Sequence, residues 1–397
     1  MLLNFKVSNF TTFKDPLHFS MKPGKVMPRF EDNIVVVNPK FKVSKVAVIV
    51  GENAGGKTQF MTSLHFLKYI MKEKGDVRSI KKLCYNYNDE VPQDFELSIL
   101  MDEKIYTYHL SMDKISILFE HLQVRNCTQK ESSNKTIFKV KRDETDNLEI
   151  NSHISINSNF VAKELKEIIE KTTHNPSGLF ITYMETLGID IIKPFTKWIR
   201  EQLIIELPSE FRLDIYKQMQ NDEKDLAIIK SNEFFEIFSL VDSSIVKIQV
   251  DEKDPFNETN IIRTRRDGTE LLVKLKDDSS GVKDFFAWAI PIWKVIYENA
   301  TLFADELDRV LNSILASKVL SFVKGSDHQG QFIFSTHNVL HINTIDFMKE
   351  QIYFINKNTE TLTSEIYSLA DFKDYRYEKT NVYELYLKGL LGGVPND

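Results

Sequence analysis

A chain of 397 residues with 42% hydrophobic residues is long enough to bury a sizeable core and exceeds one ordinary domain. Its formal net charge of −6 argues against a broadly basic, constitutive nucleic-acid binder. Local basic patches at 261–268 (IIRTRRDG) and Lys135–Glu144 (KTIFKVKRDE) read as solvated strand or loop faces, so a nucleic-acid contact stays open but is not indicated by charge.

Cys84 and Cys127 are far apart and lack metal-ligand spacing, which speaks against a disulfide framework or a cysteine-rich zinc site and for a reducing compartment. The start MLLNFKVSNF interrupts its apolar residues with Asn4, Lys6 and Asn9, and no later segment is apolar for long enough to span a bilayer. The expectation is a soluble cytoplasmic protein without a membrane partner.

Residues 1–50 alternate apolar and polar positions and end in VAVIV (46–50), dense enough for a strand buried on both faces. Residues 58–72 then space Phe60, Met61, Leu64, Leu67 and Ile70 for one helical face. Short β-like stretches follow at 94–101, 104–112, 135–142 and 147–156. From about residue 159 the pattern turns helical, over 159–172, 189–203 and 210–240, with breaks at HNPSG and ELPSE. Three units are expected: an N-terminal lobe at 1–158, a compact helical insertion at 159–240 and a C-terminal lobe at 241–397. In the C-terminal lobe strands are expected at 243–250 and 269–276. A helix from about Val282, the buried strand ATLFAD, a helix, the strand GQFIFSTH and a last strand EQIYFINKN follow. No repeat or long heptad run interrupts this order.

Between the strand 46–50 and the helix from Thr58 lies GENAGGKT, which fits Gly, four residues, Gly-Lys-Thr in full. Glycines let backbone wrap phosphates, the helix N-terminus favours anions, Lys57 pairs with the β and γ phosphates and Thr58 offers a hydroxyl to Mg²⁺. Gly51, Asn53, Ala54, Gly55, Gly56, Lys57, Thr58 and Gln59 are therefore the candidate nucleotide-binding residues.

A phosphate loop needs an acid at the end of another buried strand. ATLFADELD supplies Asp305, to hold Mg²⁺ through its water shell, and Glu306, to orient or deprotonate the attacking water. The bland alternative is acidic residues at a helix start. QFIFSTHN ends a third apolar strand in His337, which reads either as a satisfied structural histidine, the commoner case for a lone His, or as a group that reaches a γ-phosphate. Ser279, Ser280 and Gly281 open a helix, as a plain N-cap or as an anion site.

In this order the pieces resemble the ABC-type ATPases. Over residues 4–395 they are more closely similar to the OLD-related, abortive-infection ATP-binding proteins: NFKVSNFTTFKD, GENAGGKT, SSGVKDFFAWA, LFADELD, FSTHN, QIYFINKN and YLKGLLGGVP carry the likeness. The resemblance implies an α/β ABC-type P-loop head, with a mixed central sheet flanked by helices and an antiparallel β subdomain. It also implies a homodimer or higher homo-oligomer paired through its heads, with ATP and Mg²⁺ as ligands. Ser279, Ser280 and Gly281 of one protomer then cap the γ-phosphate held at Lys57 of the other, and Asp308 sits in a loop that crosses the interface. Glu306 becomes the catalytic glutamate and His337 the switch histidine.

Three departures mark this chain: Arg309 to Asn312 (RVLN) where SSLH or similar is usual, Val282 where Thr or Gln is usual, and only Gln93 as a weak candidate for Mg²⁺ sensing. They imply slow or partner-stimulated turnover. NKNT (356–359) lacks the acid of a guanine-reading motif and reads as a strand-end turn. The expected function is an ATPase that senses for, scaffolds or restrains a separate effector, a Toprim-type or other nuclease or a toxin, in antiphage defence. About 60 residues after His337 are too few for a Toprim domain. The alternatives are an SMC-like DNA-repair or chromosome-associated ATPase, a transporter subunit and a scaffold with structural ATP.

Overall fold

Val46, Val48 and Val50 point to one side of their strand and Ala47 and Ile49 to the other, and all five are buried, so this strand needs a packed layer on each face. The computed structural model, which describes residues 1–73, 87–88, 90–144, 150–207, 223–342, 344–373 and 381–393, supplies both layers.

The N-terminal part gives β1 (Leu2–Ser8), β2 (Leu17–Ser20), β3 (Ile34–Asn38), β4 (Phe41–Ser44), β5 (Val46–Gly51) and helix α1 (Lys57–Glu73). Then come β6 (Gln93–Met101), β7 (Lys104–Met112), β8 (Ile117–Asn126), β9 (Lys135–Glu144) and β10 (Ile150–Ile156). Helices α2 (Lys163–Lys171), α3 (Phe180–Thr186) and α4 (Lys193–Lys197) lead through a π-helical turn to β11 (Leu203–Glu206), followed by α5 (Glu223–Ile229) and α6 (Asn232–Phe238). The order closes with β12 (Ile245–Gln249), β13 (Asn260–Thr264), β14 (Glu270–Lys274), α7 (Ser280–Tyr297), β15 (Thr301–Ala304), α8 (Ser313–Gly325), β16 (Gln331–Thr336), β17 (Ile352–Lys357), β18 (Ser364–Ser368) and α9 (Val382–Leu387).

Two sheets dominate this α/β fold. Seven antiparallel strands run β10-β9-β8-β7-β6-β1-β2, and six run β11-β15-β16-β5-β17-β18, of which only β18 is antiparallel. β5 therefore lies inside the second sheet, between β16 and β17. One core packs Ala47 and Ile49 with α1 and the antiparallel sheet, and the other packs Val46, Val48 and Val50 with α7 and α8. Gln331 ties the sheets together: its amide bonds Leu2 N, Leu2 O and Ser44 O, so this fully buried polar group is satisfied.

Several sequence expectations need correction. Residues 159–240 are not helical throughout, because Leu203–Glu206 is a strand that pairs parallel with β15. A four-residue apolar run after a helical turn has too little length to show its period. The part of the expected 210–240 helix at 210–222 lies outside the described residues, as do Cys84 and Val394 and Pro395 of the tail. β8 was not anticipated, and β13, read as a solvated strand or loop face, buries Ile261 and Ile262. In β8 the inward row Glu120, Leu122 and Val124 begins with a carboxylate, which hides the alternation. EQIYFINKN is not the last strand, since β18 and α9 follow. Among the described residues no helix is long and apolar enough to cross a membrane.

Candidate active site

The phosphate-loop sequence folds as its composition requires. β5 ends at Gly51, where a Cβ would stand 2.3 Å from Ile355 O of β17. The chain turns through Ala54 at φ +60 and Gly56 at φ +118, and a Cβ on Gly56 would meet Ser364 Oγ at 2.9 Å. Helix α1 starts at once, with Phe60 N donating to Gly56 O. Asn53 and Ala54 are exposed at the tip, Gly55 is buried and Gln59 is half-buried.

Lys57 folds over the loop, its Nζ donating to Gly51 O at 2.7 Å and Glu52 O at 2.9 Å. Burial pushes its pKa below the ordinary lysine value, against the pull of Asp305, Glu306, Asp308 and Glu52. Lys57 thus lies in the field of four carboxylates.

Thr58 Oγ1 donates to Asp305 Oδ2 at 2.6 Å, joining the start of α1 to the end of β15. Asp305 Oδ1 accepts from Ser335 Oγ at 2.5 Å, and Ser335 Oγ in turn accepts from Glu306 N at 2.8 Å. Ser335 is fully buried. The sequence reading missed it, although pairing of Ala304 with Phe334 in the β15–β16 register brings the next residues, Asp305 and Ser335, together.

Glu306 adopts φ +50, a left-handed conformation rare for a non-glycine residue. Its Oε2 accepts from Arg309 Nη1 at 2.8 Å and its Oε1 lies 3.8 Å from His337 Nε2. His337 N donates to Asp308 Oδ1 at 3.0 Å. The structure therefore brings Lys57, Thr58, Asp305, Glu306, Asp308 and His337 into one constellation.

Ser279, Ser280 and Gly281 are not part of it. They are exposed, Ser279 Oγ caps α7 by accepting from Val282 N at 3.3 Å, and a Cβ on Gly281 would meet nothing within 4 Å. Among the described residues no hydrogen bond links them to the loop 51–58. Gln93 is buried at the start of β6, opposite Met112. NKNT forms the β17–β18 turn, with Asn358 Oδ1 accepting from Glu360 N and Thr361 N.

The tail was also missed as a neighbour of the site. Gly393 N donates to Asn356 Oδ1 at 3.1 Å and Gly393 O accepts from Tyr386 Oη at 2.7 Å. A Cβ on Gly393 would lie 3.4 Å from Gly51 Cα.

These residues fit a magnesium nucleotide. The glycines form a cradle that side chains would fill, the ammonium supplies positive charge, and Thr58 with Asp305 offers two hard oxygen donors of the type Mg²⁺ takes alongside phosphate and water.

Residues 46–343 match the family model AAA_21, described as "AAA domain, putative AbiEii toxin, Type IV TA system". The chain belongs to the AAA_21 family. As an AAA_21 member it carries an AAA domain over the residues that hold the site just described. No curated protein matches the chain. Among solved structures, the SMC head domain from Thermotoga maritima is 14% identical, with 92% of this chain and 98% of that one covered at a TM-score of 0.44. An SMC head bound to the C-winged helix domain of ScpA is 13% identical, covering 92% and 97%, with a TM-score of 0.49. An SMC head with an extended coiled coil, bound to the C-terminal domain of ScpA derived from Pyrococcus furiosus, is 12% identical, covering 98% and 99%, with a TM-score of 0.40.

Proposed function

We propose that this AAA_21 chain is an ATP-hydrolysing head of the OLD-related, abortive-infection kind. In this reading it works in the cytoplasm as a homodimer or larger homo-oligomer and senses for, scaffolds or restrains a separate effector in antiphage defence. The hydrogen-bond chain Thr58–Asp305–Ser335–Glu306 carries the hydrolytic part: it connects the phosphate loop to a carboxylate held off the strand end. The family's description, which names an AbiEii toxin and a Type IV TA system, supports the defence part.

Each residue then has a role. The loop from Gly51 through Gly56, with Asn53, Ala54, Gly55 and Gln59, wraps the nucleotide, and Lys57 moves from its own carbonyls to the phosphates. Thr58 and Asp305 hold Mg²⁺, which when bound supplies Lewis-acid charge at the phosphate oxygens. Glu306 orients the attacking water and accepts its proton, and His337 faces the γ-phosphate from the next strand end. Ser279, Ser280 and Gly281, exposed on one protomer, cap the nucleotide of its partner, and the loop bearing Asp308 crosses between them.

The test measures ATP hydrolysis and assembly state together for wild type, Lys57→Ala and Glu306→Gln, with and without DNA. The proposal expects Glu306→Gln to bind ATP, fail to turn it over and accumulate as a dimer or larger assembly, while Lys57→Ala does neither. If both variants hydrolyse and assemble like wild type, the site assignment is wrong. Strong stimulation of the wild type by DNA would instead favour the chromosome-associated reading.

A further inference from the structure

Glu306 has little freedom at either end of its side chain. Its backbone N–H is fixed on Ser335 Oγ, and its left-handed conformation turns the residue out of the strand direction. One oxygen of its carboxylate is engaged: Oε2 accepts from Arg309 Nη1 at 2.8 Å, while Oε1 lies 3.8 Å from His337 Nε2, beyond hydrogen-bond length. The pair with Arg309 is prepared by the backbone, since the single turn Leu307–Arg309 brings Arg309 N onto Glu306 O at 2.9 Å. A carboxylate that orients water has to turn a lone pair toward that water. The Oε2 lone pair is turned toward a guanidinium instead.

The two partners differ in exposure. The Glu306 side chain is 24% exposed and the Arg309 side chain 63%. The glutamate therefore sits at the site while the arginine reaches it from the surface.

We propose that Arg309 is a latch on Glu306, which holds the carboxylate away from the attacking water in the lone chain and lets go when another anion takes the guanidinium. This rests on the reading of Glu306 as the water-orienting residue. An ion pair with one partner this exposed is weak, and a competing acidic group displaces it readily. Arg309 acts through Glu306 and so is a positioning residue. Its effect falls on the hydrolytic step, because its recorded bonds lie within the turn and not on the phosphate loop.

The experiment is steady-state ATP hydrolysis by the full chain, comparing wild type, Arg309→Ala, Arg309→Lys, Glu306→Gln and the double variant Glu306→Gln/Arg309→Ala. Release of a pair of this strength raises kcat about two- to fivefold, with KM for ATP unchanged. Arg309→Lys keeps the cation and stays at the wild-type rate, and in the Glu306→Gln background Arg309→Ala changes nothing. A kcat for Arg309→Ala at or below wild type overturns the latch, as does a rise of equal size in the Glu306→Gln background. If Glu306→Gln alone hydrolyses like wild type, the reading of Glu306 has failed, and that result is visible without any Arg309 variant.

Discussion

Ser335→Ala removes one hydroxyl that serves two neighbours. In the wild type Ser335 Oγ donates to Asp305 Oδ1 and accepts from Glu306 N, inside a fully buried strand end. The lost bond to a carboxylate is worth about 1.5–3 kcal/mol, and leaving a buried N–H without its acceptor costs about 1–3 kcal/mol more. Relaxation recovers part of this, so the expected loss in unfolding free energy is about 2–4 kcal/mol. The same deletion frees the backbone that sets Glu306, and misplacement of a reacting group by about 1 Å lowers a rate on the order of 100-fold. ATP affinity rests mainly on the loop and Lys57, which the substitution does not touch, and Asp305 keeps its bond to Thr58 Oγ1. Single-turnover hydrolysis at saturating ATP, with nucleotide binding and urea unfolding measured on the same preparation, separates these effects. The expected result is near-wild-type affinity, a lower urea midpoint and hydrolysis slowed about 100-fold. A hydrolysis rate close to wild type, with the midpoint lowered, would refute the reasoning and leave Ser335 as a packing residue.

Gly51→Ala places a methyl 2.3 Å from Ile355 O, which only backbone movement between β5 and β17 can relieve. Strain of this kind costs about 1–3 kcal/mol, and nucleotide affinity measured by a fluorescent analogue should fall with the urea midpoint. His121 makes the acid side of the stability profile steep. Burial first, then Lys139 and His109, hold its pKa near about 4, below its ordinary 6.5, while Nε2 bonds Thr136 Oγ1 at 3.0 Å. The unfolded chain then binds more protons between these values, so stability falls as pH drops from 6.5 to about 4. His121→Asn should flatten urea midpoints across that window, and an unchanged slope would place the acid sensitivity in other groups.

What was legible in the sequence was local. Val46 to Thr58 carries strand, turn and helix within a few residues, so composition fixes the order without help from elsewhere. Asp305 and His337 were legible for a related reason: Asp305 directly follows the run TLFA and His337 follows the strand QFIFST, and strand ends are where a buried sheet presents polar groups. Ser335 was not, because its role exists only through the register of β15 against β16. β11 hid in four residues behind a helical stretch. β8 hid behind Glu120, whose carboxylate faces inward to accept from Tyr108 Oη at 3.0 Å, Phe180 N at 2.6 Å and Ile181 N at 2.8 Å. Burial lifts the Glu120 pKa above the ordinary carboxylate range, so the sequence pattern and the energetics break the rule at the same residue.

The position of β5 between β16 and β17 bears on how the chain is made. On the ribosome VAVIVG emerges well before the strands that cover its two edges, β16 and β17. Until they arrive, a flat apolar strand has both rows of peptide groups open to any other chain, the condition under which nascent proteins aggregate. Closing it also brings residues of very different age together, which makes parallel pairing slow. The nucleotide cradle is finished later still, when Gly393 reaches Gly51. Truncations that remove β16 or β17 should therefore fail by aggregation before they lose any activity.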